Sequence, residues 1–127
     1  MNTKLSKTAA VLAFLIGAMA IFAGGQVLLG KAMDYYVIDW VPIYNFILGL
    51  ISAGFTAVVI WKGSKIAMPA AWATFASHTT IMLILQTAYR DVVASDSIKA
   101  MTVRMITWVI ILALMFVQAR QDRRSLD

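Results

Sequence analysis

The chain has 127 residues, of which 61% are hydrophobic and 13% charged, with a formal charge of +5. A soluble domain carries about 25% charged residues, and a fold this small cannot hide so much apolar surface from water. The composition therefore excludes an ordinary soluble domain and points to lipid as the solvent. There is no cysteine, and every acid is Asp; disulfide staples, thiolate metal sites and thiol redox chemistry are excluded with it.

Four apolar runs follow one another, each near the roughly 20 residues a helix needs to cross a bilayer. The first covers residues 8–29. Lys4 and Lys7 precede it and Ala18-Met19-Ala20 resembles a signal-peptidase site, but the apolar run continues through Ile21-Phe22-Ala23, so it reads as a retained helix. Ala13, Gly17, Ala20 and Gly24 form a small-residue stripe along it, of the kind that lets helices pack closely in lipid. The second run covers residues 40–61. Pro42 falls in its first turn, where the missing N–H is not needed, and Asn45, Gly49, Ser52 and Thr56 repeat the spacing of the first stripe. Gly63-Ser64 then breaks the chain.

The third run covers residues 69–89 and opens on Pro69; the fourth covers residues 100–119 and is followed by a charged tail, residues 120–127. Tyr35, Tyr36, Trp40, Tyr44, Trp61, Trp72 and Tyr89 fall near the expected interfaces, where amphipathic rings prefer to sit. Short links force neighbouring helices antiparallel. The expected fold is all-α, a single four-helix transmembrane bundle over residues 1–127 with up-down neighbours and short loops.

Orientation follows from the basic residues, which lie between the apolar runs and act as topology signals, with no nucleic-acid partner implied. Lys4, Lys7, Lys62, Lys65, Arg120, Arg123 and Arg124 fall on one side; Lys31, Arg90, Lys99 and Arg104 fall on the other. The positive-inside rule places both termini in the cytoplasm, and a bacterial inner membrane is the expected location.

Polar residues inside the spans are the best functional pointers in such a chain. By the helix rise, Gln26, Asn45, Gln86 and Arg104 lie at one depth, roughly 5–8 Å below the outer boundary, one on each helix. Together they suggest an outward-facing pocket in which Arg104 meets a carboxylate or an anionic head group. The plainer reading is that Arg104 snorkels to the interface while the amides clamp helices. His78 is deeper, near mid-membrane. It suits a proton carrier or a haem ligand; the plainer reading is a neutral ring hydrogen-bonded to Ser52, Thr74 or Thr79. As a metal site it lacks a second His, a Cys or a buried acid. Asp34, Asp39, Asp91 and Asp96 in the outer links lack the spacing of a calcium loop and read as solvated charges.

With no catalytic set visible, the expected role is non-enzymatic, a binding or accessory and assembly subunit with no predicted cofactor, acting in the lipid bilayer as a homo-dimer or within a larger membrane complex. A small transporter or channel is the first alternative. The size is similar to small multidrug antiporters and fluoride channels, but the first helix lacks the antiporters' acid and the charge bias is too strong for dual topology. A redox anchor is the second. His78 followed by Tyr89, Arg90 and Asp91, with Arg104 early in the next helix, resembles the haem and quinone region of succinate dehydrogenase membrane anchors. That resemblance covers about a third of the chain and implies haem through His78. The order of the Tyr and Asp differs from those anchors, which also have fewer spans, and a second haem ligand would have to come from a partner. A lipid hydrolase is least favoured, because no acid lies at the depth of His78.

Overall fold

The computed structural model describes residues 3–33 and 36–126, with side chains as far as Arg123. The expected outer-link residues Asp34 and Tyr35, and the side chain of Arg124, lie outside the described residues. Helix α1 spans Lys4–Leu28, α2 Val41–Trp61, α3 Ala67–Thr87 and α4 Ser95–Leu126. All four are long and apolar enough to cross a membrane, and no strand occurs among the described residues.

The helix ends follow from local chemistry. Gly30, at φ 103°, ends α1, and Gly63, at φ 66°, ends α2. At each end two amides turn back onto the last turn of the helix. Gly30 N–H donates to Val27 and Lys31 N–H to Gln26; Gly63 N–H donates to Ile60 and Ser64 N–H to Val59, at 3.0–3.1 Å. This closure needs a residue in the left-handed region, which glycine enters without steric cost. Pro42 and Pro69 lie in the first turns of α2 and α3, as expected. Helix α4 is longer than the apolar run it contains. Hydropathy marks only the part that contacts lipid, whereas Ser95-Asp96-Ser97 at the start and Arg120–Arg123 at the end suit helical backbone in the interface.

Helices α1 and α2 form a tight pair through the two small-residue stripes. Ala13, Gly17, Ala20 and Gly24 are buried, and a Cβ on Gly17 would lie 2.7 Å from the backbone nitrogen of Ala53. One on Gly49 would lie 2.6 Å from the carbonyl oxygen of Gly17. The contacts descend along α2 as they ascend along α1: Lys7 lies over the Trp61 ring, Ser52 Oγ donates to the Ala13 carbonyl at 2.8 Å, and Gly24 abuts Pro42 and Asn45.

Inside α2, Ile51–Thr56 forms a π turn that the uniform apolar run did not announce. The core has two parts. One gathers Ala9, Ala13, Ile16, Ala57, Ile60, Ala71, Trp108 and Ile111; the other gathers Ile38, Tyr44, Leu85 and Met101 beside the α1–α2 and α3–α4 links.

Because backbone lies where a Cβ would have to go, Gly17→Val and Gly49→Val should each destabilise the bundle by about 1–3 kcal/mol. Gly54, which has nothing within 4 Å of its Cβ position, should accept Ala without loss. Unfolding in detergent, read by circular dichroism, checks the contrast; equal sensitivity at Gly17 and Gly54 would refute a glycine-dependent seam.

Candidate ligand-binding site

The site grows from one face of α4. Met101, Arg104, Trp108, Ile111, Leu112 and Met115 are buried, and their three- and four-residue spacing makes them a single inward stripe. Arg104 places a guanidinium in that stripe with 5% of its surface exposed. Its Nη1 donates to Asn45 Oδ1 at 2.5 Å and lies 3.6 Å from Met101 Sδ. The Tyr44 ring centroid is 5.9 Å from its Cζ. Among the described residues no carboxylate pairs with Arg104; its one well-formed hydrogen bond to an oxygen is that from Nη1 to Asn45, and Tyr44 interacts with the guanidinium more weakly. A cation inside a span costs roughly 2.5–3.5 kcal/mol on insertion scales, and one amide carbonyl offsets only part of that.

Arg104 lines a cleft of about 60 Å³ to which every helix contributes. Ala23 comes from α1, Val41 and Asn45 from α2, Leu85 from α3, and Asp96, Ser97, Ala100 and Met101 from α4. Asp96, Ala100 and Arg104 succeed one another at four-residue spacing, so they line one side of it.

The residues singled out in the sequence divide. Asn45 and Arg104 meet directly. His78, 2% exposed, joins them through Tyr44, whose hydroxyl shares a hydrogen bond with His78 Nδ1 and lies 3.5 Å from Met101 Sδ. Gln26 does not reach Arg104: its Oε1 accepts from Lys31 Nζ at 2.7 Å. Gln86 is exposed. Leu85, fully buried, takes the inward position, and the next residue on a helix is turned away by roughly 100°. The expected pocket lined by all five residues is therefore corrected to a cleft with Arg104 and Asn45 in its wall, His78 behind Tyr44, Gln26 alongside and Gln86 outside.

The hydroxyls expected to hold His78 are engaged elsewhere. Ser52 donates to the Ala13 carbonyl, Thr74 shares a hydrogen bond with Thr56 at 3.0 Å, and Thr79 donates to the Phe75 carbonyl at 2.9 Å. Tyr44, read from the sequence as an interfacial ring, is instead buried. Trp108 was not singled out; it is fully buried with its ring centroid 6.3 Å from that of His78, and its indole N–H has no partner. The spacing of Met101, Arg104 and Trp108 was the available signal for both α4 residues. Among the described residues no group of three His, Cys, Asp or Glu could hold a metal ion.

Comparison with protein-family models, with curated proteins and with solved structures finds no match to this chain.

Removing either buried partner should cost stability. Tyr44→Phe leaves His78 Nδ1 without its hydroxyl and should cost about 1–2 kcal/mol; Asn45→Ala strips a charged donor of its acceptor and should cost about 1.5–3 kcal/mol. Chemical unfolding in detergent measures both, and a neutral Asn45→Ala would show that the amide does not hold Arg104.

Proposed function

We propose that this protein is a small inner-membrane subunit with cytoplasmic termini that binds an anionic, lipid-like ligand in the outward-facing half of its bundle, as a homo-dimer or within a larger complex. The observation that carries the reading is Arg104: almost wholly buried, held by one amide oxygen with no carboxylate partner among the described residues, and lining a cleft. Burial of an unpaired charge is costly unless a counter-charge arrives, and an anion in the cleft would supply it. The orientation is supported by the excess of Lys and Arg at the termini and the α2–α3 link. Association is supported by α3, whose Ala73, Ala76 and Thr80 are exposed, since small and hydroxyl side chains let a second helix approach closely.

Transport is a second reading, favoured by the π turn in α2, a feature that often marks functional segments. Among the described residues the acids Asp39, Asp91, Asp96 and Asp122 lie in links or near the ends of α4, which leaves proton coupling without a buried carboxylate. The redox-anchor reading has less support, because His78 is buried between Tyr44 and Trp108 and is the single His of the sequence, so a second axial ligand of that kind would have to come from a partner.

Native mass spectrometry of the gently solubilised protein should find an acidic adduct on the wild type that Arg104→Gln loses, with the fold kept by circular dichroism. The same adducts on both proteins would overturn the proposal. A wild type that carries no adduct but moves solute in liposomes would favour transport.

A further inference from the structure

We infer that the ligand of the Arg104 cleft is a single-chain amphiphile with a carboxylate head, its tail lying in an apolar groove on α1; this rests on the anion-binding reading above. Asn45 and Met101 both engage Nη1. The edge left over is the Nε–Nη2 side, two parallel N–H donors whose spacing matches the two oxygens of a carboxylate.

The size of the cleft selects the head. One water-sized position needs roughly 10–15 Å³, so a cleft of about 60 Å³ takes a group of about four to six heavy atoms. A carboxylate with its first carbon fits this space, and a phosphodiester with its glycerol does not. Asp96 in the same wall disfavours a phosphate monoester, whose near-dianion its like charge repels more strongly than a monoanion; a phosphodiester, singly charged like a carboxylate, is disfavoured by size alone.

The tail follows from what adjoins the cleft. Ala23 also lines a groove of about 610 Å³ that continues along α1 past Phe22, Met19, Ala18 and Leu15. From Ala23 to Leu15 is eight residues, about 12 Å along the axis. A charged head site that shares Ala23 with an apolar trough of that length has the polarity pattern of a fatty acid. The rival head position is the Lys31–Gln26 pair at the outer end of the groove. Both residues are already bonded to each other, and Lys31 is exposed, where solvent screening weakens ion pairing.

The test uses the full chain in nanodiscs of zwitterionic lipid, titrated with hexadecanoate or acetate isotope-labelled at the carboxyl carbon and followed by NMR. Hexadecanoate should bind wild type about tenfold or more tightly than either Arg104→Gln or Ala18→Trp, whose indole fills the groove and leaves the cleft intact. Acetate should respond to Arg104→Gln and not to Ala18→Trp, and phosphatidylglycerol should not displace hexadecanoate. If Arg104→Gln does not fold, Arg104→Lys replaces it: the charge stays, the fork is lost, and hexadecanoate binding should still fall about tenfold. Binding unchanged in Ala18→Trp, or displacement by phosphatidylglycerol, would overturn the inference and leave an anion site at Arg104. Loss in Lys31→Gln with no loss in Arg104→Gln would move the head to the rim and overturn it as well. Neither probe depending on Arg104 would overturn both the inference and the reading beneath it.

Discussion

The backbone of α1 runs against the backbone of α2 at Gly17 and Gly49, and the remaining elements take their places from that contact. Lipid tails are as apolar as leucine, so helices in a bilayer gain little from hiding apolar side chains and much from close packing. With no Cβ on either residue, each carbonyl enters the space beside the other helix, and the Ser52 hydroxyl fixes the register by bonding to the Ala13 carbonyl. The same seam continues outward to Gly24 against Pro42. It sets the height and rotation of the outer half of α2, and so presents Asn45 to α4 and Tyr44 to α3.

From that point the two halves of the bundle obey different rules. One half is closed by alanines packed around Trp108, Ile111 and Met115, with no ionised group in the cluster. In the other half, Arg104–Asn45 and Tyr44–His78 tie α4 and α3 to α2 through side-chain hydrogen bonds. Such a buried network costs more than apolar packing when it is incomplete, and specifies a unique arrangement when it is complete. Here it is complete at Nδ1 of His78 and incomplete at the guanidinium. That difference separates His78, whose Nδ1 is satisfied within the bundle, from Arg104, whose guanidinium is satisfied only in part.

Much of this fold was legible before any coordinates. Length, hydropathy and proline placement located four helices to within a few residues at most ends, because lipid leaves the chain few other options. The small-residue stripes were legible for the same reason. The site was legible in its depth and only partly in its direction. Counting rise along a helix places Gln26, Asn45, Gln86 and Arg104 in one layer, but rotation decides which of them face inward. For α4 the rotation was encoded in the buried spacing of Met101, Arg104 and Trp108. For α3 it was encoded in Ala71, Thr74, His78 and Leu85, a phase that turns Gln86 outward. Tyr44 was misplaced because a ring near a helix start is equally suited to the interface and to a buried hydrogen bond; only the position of His78 on the neighbouring helix distinguishes the two.

The π turn explains how one helix can serve both halves. Tyr44 and Thr56 both bond to α3, at His78 and Thr74, yet they are twelve residues apart. In an uninterrupted helix of 3.6 residues per turn, that separation would leave them about 120° apart around the axis, and one of the two hydroxyls would miss α3. A π turn inserts about one extra residue, which offsets the phase by roughly 100° and brings both to the same face. This is why Thr56, placed by its sequence spacing on the stripe that meets α1, instead bonds to α3. The insertion lies between Tyr44 and Thr56, so both hydroxyls reach α3 while α2 keeps its contact with α1 along its whole length, from Pro42 against Gly24 to Trp61 under Lys7. Asn45 is held against Arg104 by the outer part of that contact, where Gly24 meets Pro42 and Asn45, and the π turn lets the same helix meet α3 at Tyr44 and again at Thr56.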